Sequence, residues 1–366
     1  MASNVQSEDP SKIPWDVPRR PPPAGVTSNF DNPEDIQGGM IAAVAICTAL
    51  VVIFVLMRLF IRLRYSNFGW DEATTMFALA LTVLFNVAAV QQVKNGNGLH
   101  IYDIRLRTWM EGMYTRSFTW GWIGQWVNFA AMGMVKSSIC LLYLRLMPPS
   151  LKKSRTTVYV ILVAIVCYVA ALTLTAIFAC SPVTKKWRIL NRGECAVDIW
   201  VKSIAYSSLN IASDFALLIA PLPMVWGLQL RTLQKLGIIA LFAAGLIVTI
   251  FSILRIWLTS RLRTNAERAD LTREQFRITL LCVIELNLAL ICSCMPACNQ
   301  FLRRVVPMLK EGLGSRQSLG RAKSIGSGEP GIGDHELYNN GKSREDVHGT
   351  SVASDSQLRD VERQNA

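Results

Sequence analysis

GMIAAVAICTALVVIFVLM, residues 39–57, carries no charged side chain, and its only hydroxyl is that of Thr48. A hydrocarbon layer about 30 Å thick is crossed by roughly 20 apolar residues in α-helical form. Inside such a layer every backbone N–H and C=O must be satisfied within the spanning structure, which leaves the helix as the solution for one such segment. Gly39–Met57 is therefore the first expected span. Working outward from it, six further stretches repeat the pattern: Ala73–Val93, Thr119–Leu144, Val158–Ala179, Ser203–Trp226, Gly237–Trp257 and Phe276–Ala297. The expected fold is all-α, a polytopic membrane protein built as a seven-transmembrane-helix bundle.

Composition agrees. Of 366 residues, 51% are apolar and 17% are charged, against about a quarter charged in soluble domains. Residues 1–37 are polar and rich in proline, so no cleavable signal peptide is expected ahead of the first helix, which acts as its own anchor. They are expected to form a disordered outer tail, residues 38–303 the helical domain, and residues 304–366, rich in Gly, Ser and charge, a disordered cytosolic tail. The net charge of +12 sits on Lys and Arg flanking apolar spans, the pattern of headgroup anchoring. No nucleic-acid motif, phosphate-binding loop or metal-ligand spacing is present, and no metal or nucleic acid is expected.

Lys and Arg divide evenly between the two sides, so orientation rests on the first helix. Asp31, Glu34 and Asp35 precede it and Arg58, Arg62 and Arg64 follow it, which predicts an outer N-terminus and a cytosolic C-terminus, in the plasma membrane. Tryptophans cluster near span ends, Trp70 and Trp226 on the inner side and Trp109, Trp120, Trp187, Trp200 and Trp257 on the outer. Trp122 and Trp126 lie deeper in the third helix, where they line an outward pocket or extend the interfacial belt.

Of nine cysteines, Cys47, Cys140, Cys167, Cys282, Cys292, Cys294 and Cys298 fall in helices. Cys180 and Cys195 bracket an outer loop on the oxidising side and are the disulfide candidates. Closing so short a loop contributes roughly 3 kcal/mol by chain entropy. Cys294 and Cys298 lie near the cytosolic end, as core residues or palmitoylation sites.

A charge at the bilayer centre is costly, and such residues face the bundle interior in pairs. Lys136, Asp214, Arg255 and Glu285 all lie within spans, two of each sign. Asp214 and Glu285 are expected at similar depth, where they share a proton or compete for one cation; Arg255 reaches either from above and Lys136 from below. Asn210 shares a helical face with Asp214, and Asn287 faces elsewhere. The set is a polar switch between two bundle states or a static network. Pro221, Pro223 and Pro296 are expected to kink the fifth and seventh helices.

These residues form an ordered series of motifs: Trp70-Asp71-Glu72 entering helix two, Lys136-x-Ser138-Ile139 and Tyr143-x-Arg145-Leu146 in helix three, Cys180-x-Pro182, Trp187 and Gly193-x-Cys195 in the outer loop. Asn210-x3-Asp214, Pro221-x-Pro223 and Trp226 follow, then Arg255, Glu285 and Cys294-x-Pro296. In this order they resemble the fungal rhodopsin-like seven-helix family, receptor-like integral membrane proteins of filamentous ascomycetes that include plant-pathogenicity receptors. Glu72 stands where the family usually has a second aspartate, and the N-terminal segment lacks the cysteines of one branch. A retinal Schiff base needs a lysine deep in helix seven; residues 276–298 contain none, so no cofactor is expected. Helix three ends in Tyr143-Leu144-Arg145 rather than an acid–arginine–aromatic triplet, and helix seven lacks an asparagine–proline pair, so the likeness to animal G-protein-coupled receptors is one of helix number.

The resemblance implies a non-enzymatic receptor that senses an unknown small ligand or surface cue and relays it to a cytosolic partner. In the tail, which the resemblance does not cover, Arg321-x-x-Ser324 and Ser343 before Glu345-Asp346 look like kinase sites. The rival expectations are a transporter or accessory membrane component of a secondary-metabolite pathway, and an integral membrane enzyme using the buried carboxylates.

Overall fold

The computed structural model describes residues 16–23, 25–33, 36–65, 69–186, 194–196, 199–221, 232–264 and 270–296. Trp187, Gly193, Pro223, Trp226, Cys298 and the 304–366 tail lie outside them. The chain divides into two compact units, Met1–Leu309 and Lys310–Ala366, and everything described belongs to the first.

Seven long helices follow one another among the described residues: α1 Gln37–Tyr65, α2 Trp70–Lys94, α3 Tyr114–Leu146, α4 Lys152–Phe178, α5 Ile199–Ile219, α6 Thr232–Thr264 and α7 Leu271–Pro296. Six contain a stretch long and apolar enough to cross a membrane; α5 is the exception, since it carries Lys202, Asn210, Asp214 and four serines in its 21 residues. Most helices overrun their apolar spans by one or two turns. Helix formation depends on backbone pairing, which continues past the apolar core wherever long polar side chains reach the interface. The outward faces remain apolar. Ile46, Ile53 and Phe60, spaced by seven on one face of α1, are 61%, 59% and 61% exposed. Contiguous apolar surface of this kind suits lipid as the surrounding solvent.

One core joins α1, α2, α3 and α7 through Val51, Val55, Ala78, Ala89, Val127, Val135, Val283, Leu286 and Leu290. A second joins α3, α4 and α5 through Cys140, Tyr143, Val158, Ile165 and Leu217. Gly133 allows α3 and α4 to meet: a Cβ there would stand 2.6 Å from Val169 Cγ1, and small residues serve this purpose where helices pack in lipid.

At the end of the bundle where α2, α4 and α6 finish, strands β1 Cys180–Ser181 and β2 Glu194–Cys195 pair antiparallel. Cys180 faces Cys195 in that register, and the two form the disulfide read from the sequence. The 3₁₀ turn Val183–Lys186 follows β1.

The expectation of a disordered tail over residues 1–37 is corrected for its described part. The backbone N–H of Arg19 donates to Ile104 O at 3.1 Å, and that of Leu106 to Val17 O at 3.0 Å. Pro18 and Arg105 form an antiparallel bridge, Asn29 N–H donates to Asp103 Oδ1 at 2.9 Å, and the Arg19 guanidinium stacks 3.6 Å from the centre of the Trp109 ring. Edge pairing with the α2–α3 loop satisfies backbone groups that the low apolar content gave no reason to order. The same loop is fastened to the start of α7, where Asp270 Oδ1 accepts from Ile101 N–H at 3.1 Å and Asp270 also contacts His100 Nδ1.

Candidate functional site

Asn210 and Asp214 are one turn apart on α5 and so share the face turned toward α3, α6 and α7. Lys136, buried in α3, meets that face. Its Nζ lies 2.8 Å from Asp214 Oδ1 and donates to Asn210 O and Oδ1, both at 2.8 Å, and to Ser213 Oγ at 2.7 Å. Arg255 of α6 pairs with Glu285 of α7, Nε to Oε2 at 2.9 Å and Nη2 to Oε1 at 3.4 Å, while its Nη1 donates to Ser207 Oγ at 2.8 Å. The guanidinium also lies 4.9 Å from the centre of the Tyr206 ring.

The two ion pairs are joined rather than separate. Asn210 Nδ2 donates to Glu285 Oε1 at 2.6 Å, and Ser252 Oγ lies between Glu285 Oε1, at 2.5 Å, and Asp214 Oδ2, at 3.4 Å. The structure thus brings together all five of the intramembrane polar residues singled out from the sequence and selects one pairing among those left open. Asn210 and Ser252 bridge Asp214 and Glu285. Asn287 faces away, exchanging side-chain hydrogen bonds with Asn86 of α2 at 3.2 and 3.3 Å.

A second charged cluster lies toward the opposite end. Asp71 and Glu72, at the start of α2, are buried among three arginines. Arg58 contacts Glu72 at 2.9 Å and Asp71 at 3.3 Å, Arg62 lies 2.9 Å from Glu72 without the alignment of a hydrogen bond, and Arg145 reaches Asp71 at 3.0 Å. Arg58 also donates to Ser293 O of α7, and Ser138 Oγ to Asp71 O at 3.1 Å, so four helices meet there. Sequence reading counted Arg58 and Arg62 as orienting charges and missed this role. The signal was a carboxylate pair opening a helix a few residues after a run of arginines. Trp70, first in the same motif, points outward and is exposed.

Pro221 stands in the turn after α5, which ends at Ile219, so it stops the described helix rather than bending it. The ring removes a donor and disfavours helical geometry in the residue before it. Pro296 is the last described residue of α7.

Between the first cluster and the disulfide end lies a cavity of about 620 Å³. Trp122, Phe118, Phe85 and Trp200 form apolar walls, and Trp122 fixes its indole by donating Nε1–H to Ala176 O at 2.9 Å. Trp122 therefore takes the pocket position, whereas Trp126 packs against the core of α1, α2, α3 and α7. Both disulfide cysteines line the cavity, as does Arg19 from the N-terminal segment. Arg255 and Tyr206 line it as well, so the cavity and the ion-pair network share a residue. Burial, with the positive charge of Lys202 adding to it, pushes the Lys186 ammonium at its rim down to about 8. Among the described residues no group of three His, Cys, Asp or Glu is placed to hold a metal.

The fungal rhodopsin domain matches residues 57–304 of this chain. The chain belongs to that family. The match takes in α2 to α7, both charged clusters and the disulfide. A SAT4 family membrane protein of Emericella nidulans is 28% identical over 268 residues, 72% of this chain and 64% of its own length. The wortmanamides biosynthesis cluster protein C of Talaromyces wortmannii is 24% identical over 279 residues, 75% of this chain and 73% of its own. Receptor GIN3 of Arthrobotrys oligospora is 25% identical over 200 residues, 54% of this chain and 47% of its own. The chain thus spans just under two thirds of the Emericella protein. No solved structure matches.

Proposed function

We propose that this fungal rhodopsin-domain membrane protein is a non-enzymatic receptor whose ligand occupies the cavity and is read by the ion-pair network beneath it. The observation that carries this reading is the double placement of Arg255, which lines the cavity and holds Glu285 at 2.9 Å. A ligand that draws on the guanidinium weakens its hold on Glu285, and Asn210 and Ser252 pass the change to Asp214 and Lys136. Such a ligand acts only through its different affinity for the two arrangements. The likeness to a protein named as a receptor supports the reading.

In this reading the disulfide end faces outward, where disulfides persist, and the C-terminal tail meets a cytosolic partner beneath the plasma membrane. No lysine occurs in α7, so the receptor works without a retinal Schiff base. The test compares wild type with Arg255→Ala and Asp214→Asn at matched expression in the fungus, reading cue-dependent recruitment of cytosolic partners to the protein. Loss of the response in both variants is expected; normal signalling in both sinks the reading.

A second reading has a specific observation behind it. Relatives named for biosynthesis clusters favour an accessory or transporting membrane component of a secondary-metabolite pathway. Uptake of a cluster product into vesicles containing the purified protein would select it.

A further inference from the structure

The cavity walls are chemically one-sided. Lys186, Lys202, Arg19 and Arg255 line it, and no aspartate or glutamate appears among its described lining residues. Arg255 is neutralised from behind by Glu285. Lys202 is not so served: it is 6% exposed, its Nζ donates to the neutral Gln125 Oε1 at 3.0 Å, and no described carboxylate pairs with it. Lys186 likewise donates to a backbone carbonyl, that of Ala176. Buried charges are paired or coordinate an ion, and a desolvated ammonium group beside a like charge in a cleft is a functional-site candidate. Two such groups feel each other's charge here, which a structural role would avoid.

Resting on the receptor reading for its consequence but not for its chemistry, we propose that the cavity binds an organic carboxylic acid with an apolar body, its carboxylate held by Lys202 and Lys186. An inorganic anion would leave most of about 620 Å³ unfilled. The aromatic walls from Phe118, Trp122 and Tyr206 match a ring or an acyl chain of a drug-sized molecule. The carboxylate supplies what the site lacks, an acceptor that takes a charge-assisted hydrogen bond from each ammonium. Gln125, which also lines the cavity, holds Lys202 Nζ at 3.0 Å.

The test uses the full-length protein in nanodiscs, titrated calorimetrically with two probe acids, laurate and 1-naphthylacetate, and with their methyl esters. The two acids distinguish an acyl from an aromatic body. At least one acid is expected to bind about tenfold more tightly than its ester, the scale of one charge-assisted hydrogen bond. Lys202→Met is expected to abolish the preference and Lys202→Arg to keep it. If the methionine variant does not fold, the arginine variant and a weaker preference at pH 9 than at pH 7 decide. Equal binding of acid and ester, no binding of either, or an unchanged preference in Lys202→Met overturns the proposal. Acid binding without any change in cytosolic partner recruitment would sink the receptor reading and leave this one standing; the reverse result would do the opposite.

Discussion

Lys136 Nζ stands 2.8 Å from Asp214 Oδ1, deep in the bundle, and three further oxygens complete its surroundings. This is a fully satisfied buried ion pair, the arrangement in which low polarity strengthens attraction and leaves no uncompensated charge. Its weakness is that neither partner tolerates loss of the other. Asp214→Asn leaves an ammonium with neutral acceptors only, and removal of one member of a buried pair costs about 3–5 kcal/mol. Equilibrium denaturation in detergent micelles should show that loss for Asp214→Asn, and the double variant Lys136→Met with Asp214→Leu should recover most of it. A double variant no more stable than the single one would show that the pair is not the source.

Asn210 makes a sharper prediction because it serves both pairs. Its Oδ1 accepts from Lys136 while its Nδ2 donates to Glu285, so one amide holds two opposite charges in register. Asn210→Asp introduces a third carboxylate within reach of Glu285, and Asn210→Leu removes both bonds. Each unsatisfied buried group costs about 1–3 kcal/mol. In a double-mutant cycle, Asn210→Leu should show coupling with both Asp214→Asn and Glu285→Gln. Additive behaviour with either would break the connected network into two independent pairs.

The bundle was readable because lipid demands long apolar runs, and those runs survive inspection residue by residue. Partners within the bundle were not. Lys136, Asp214, Arg255 and Glu285 announced themselves as charges in the wrong solvent, yet helix rotation and tilt decide which meets which, and one span of sequence carries no record of its neighbour's rotation. Ser252 and Ser207 were invisible for a different reason, since serine is common in spans and bonds its own backbone at no cost. Arg58 and Arg62 look identical to headgroup anchors until Asp71 and Glu72 are placed beside them. The N-terminal segment failed for lack of apolar content: its order comes from backbone pairing with residues 104–106, to which composition is blind.

The Arg58–Glu72 cluster predicts an asymmetry between conservative changes. Glu72 accepts from Arg58 and contacts Arg62, so Glu72→Gln leaves Arg62 without its carboxylate and Arg58 sharing Asp71 with Arg145. Glu72→Asp keeps the charge on a shorter arm. Stability in micelles should fall by about 3 kcal/mol or more for the glutamine variant and clearly less for the aspartate variant. Equal losses would mean that reach, not charge, holds α1 against α2.

Lys186 gives the pH dependence. Burial, then the charge of Lys202, brings its ammonium down to about 8 from the usual lysine value near 10.4. Between those two values the unfolded chain binds the proton more readily than the folded one, so this residue's contribution to stability rises with pH across that window and is flat below it. The expected observation is an apparent melting temperature in nanodiscs that climbs from pH 8 to pH 10 relative to Lys186→Met, whose curve lacks this component. A saturating probe acid in the cavity should flatten the difference, because a carboxylate beside the ammonium restores its proton affinity. The same slope in wild type and Lys186→Met would assign the titration to another group and take Lys186 out of the anion site.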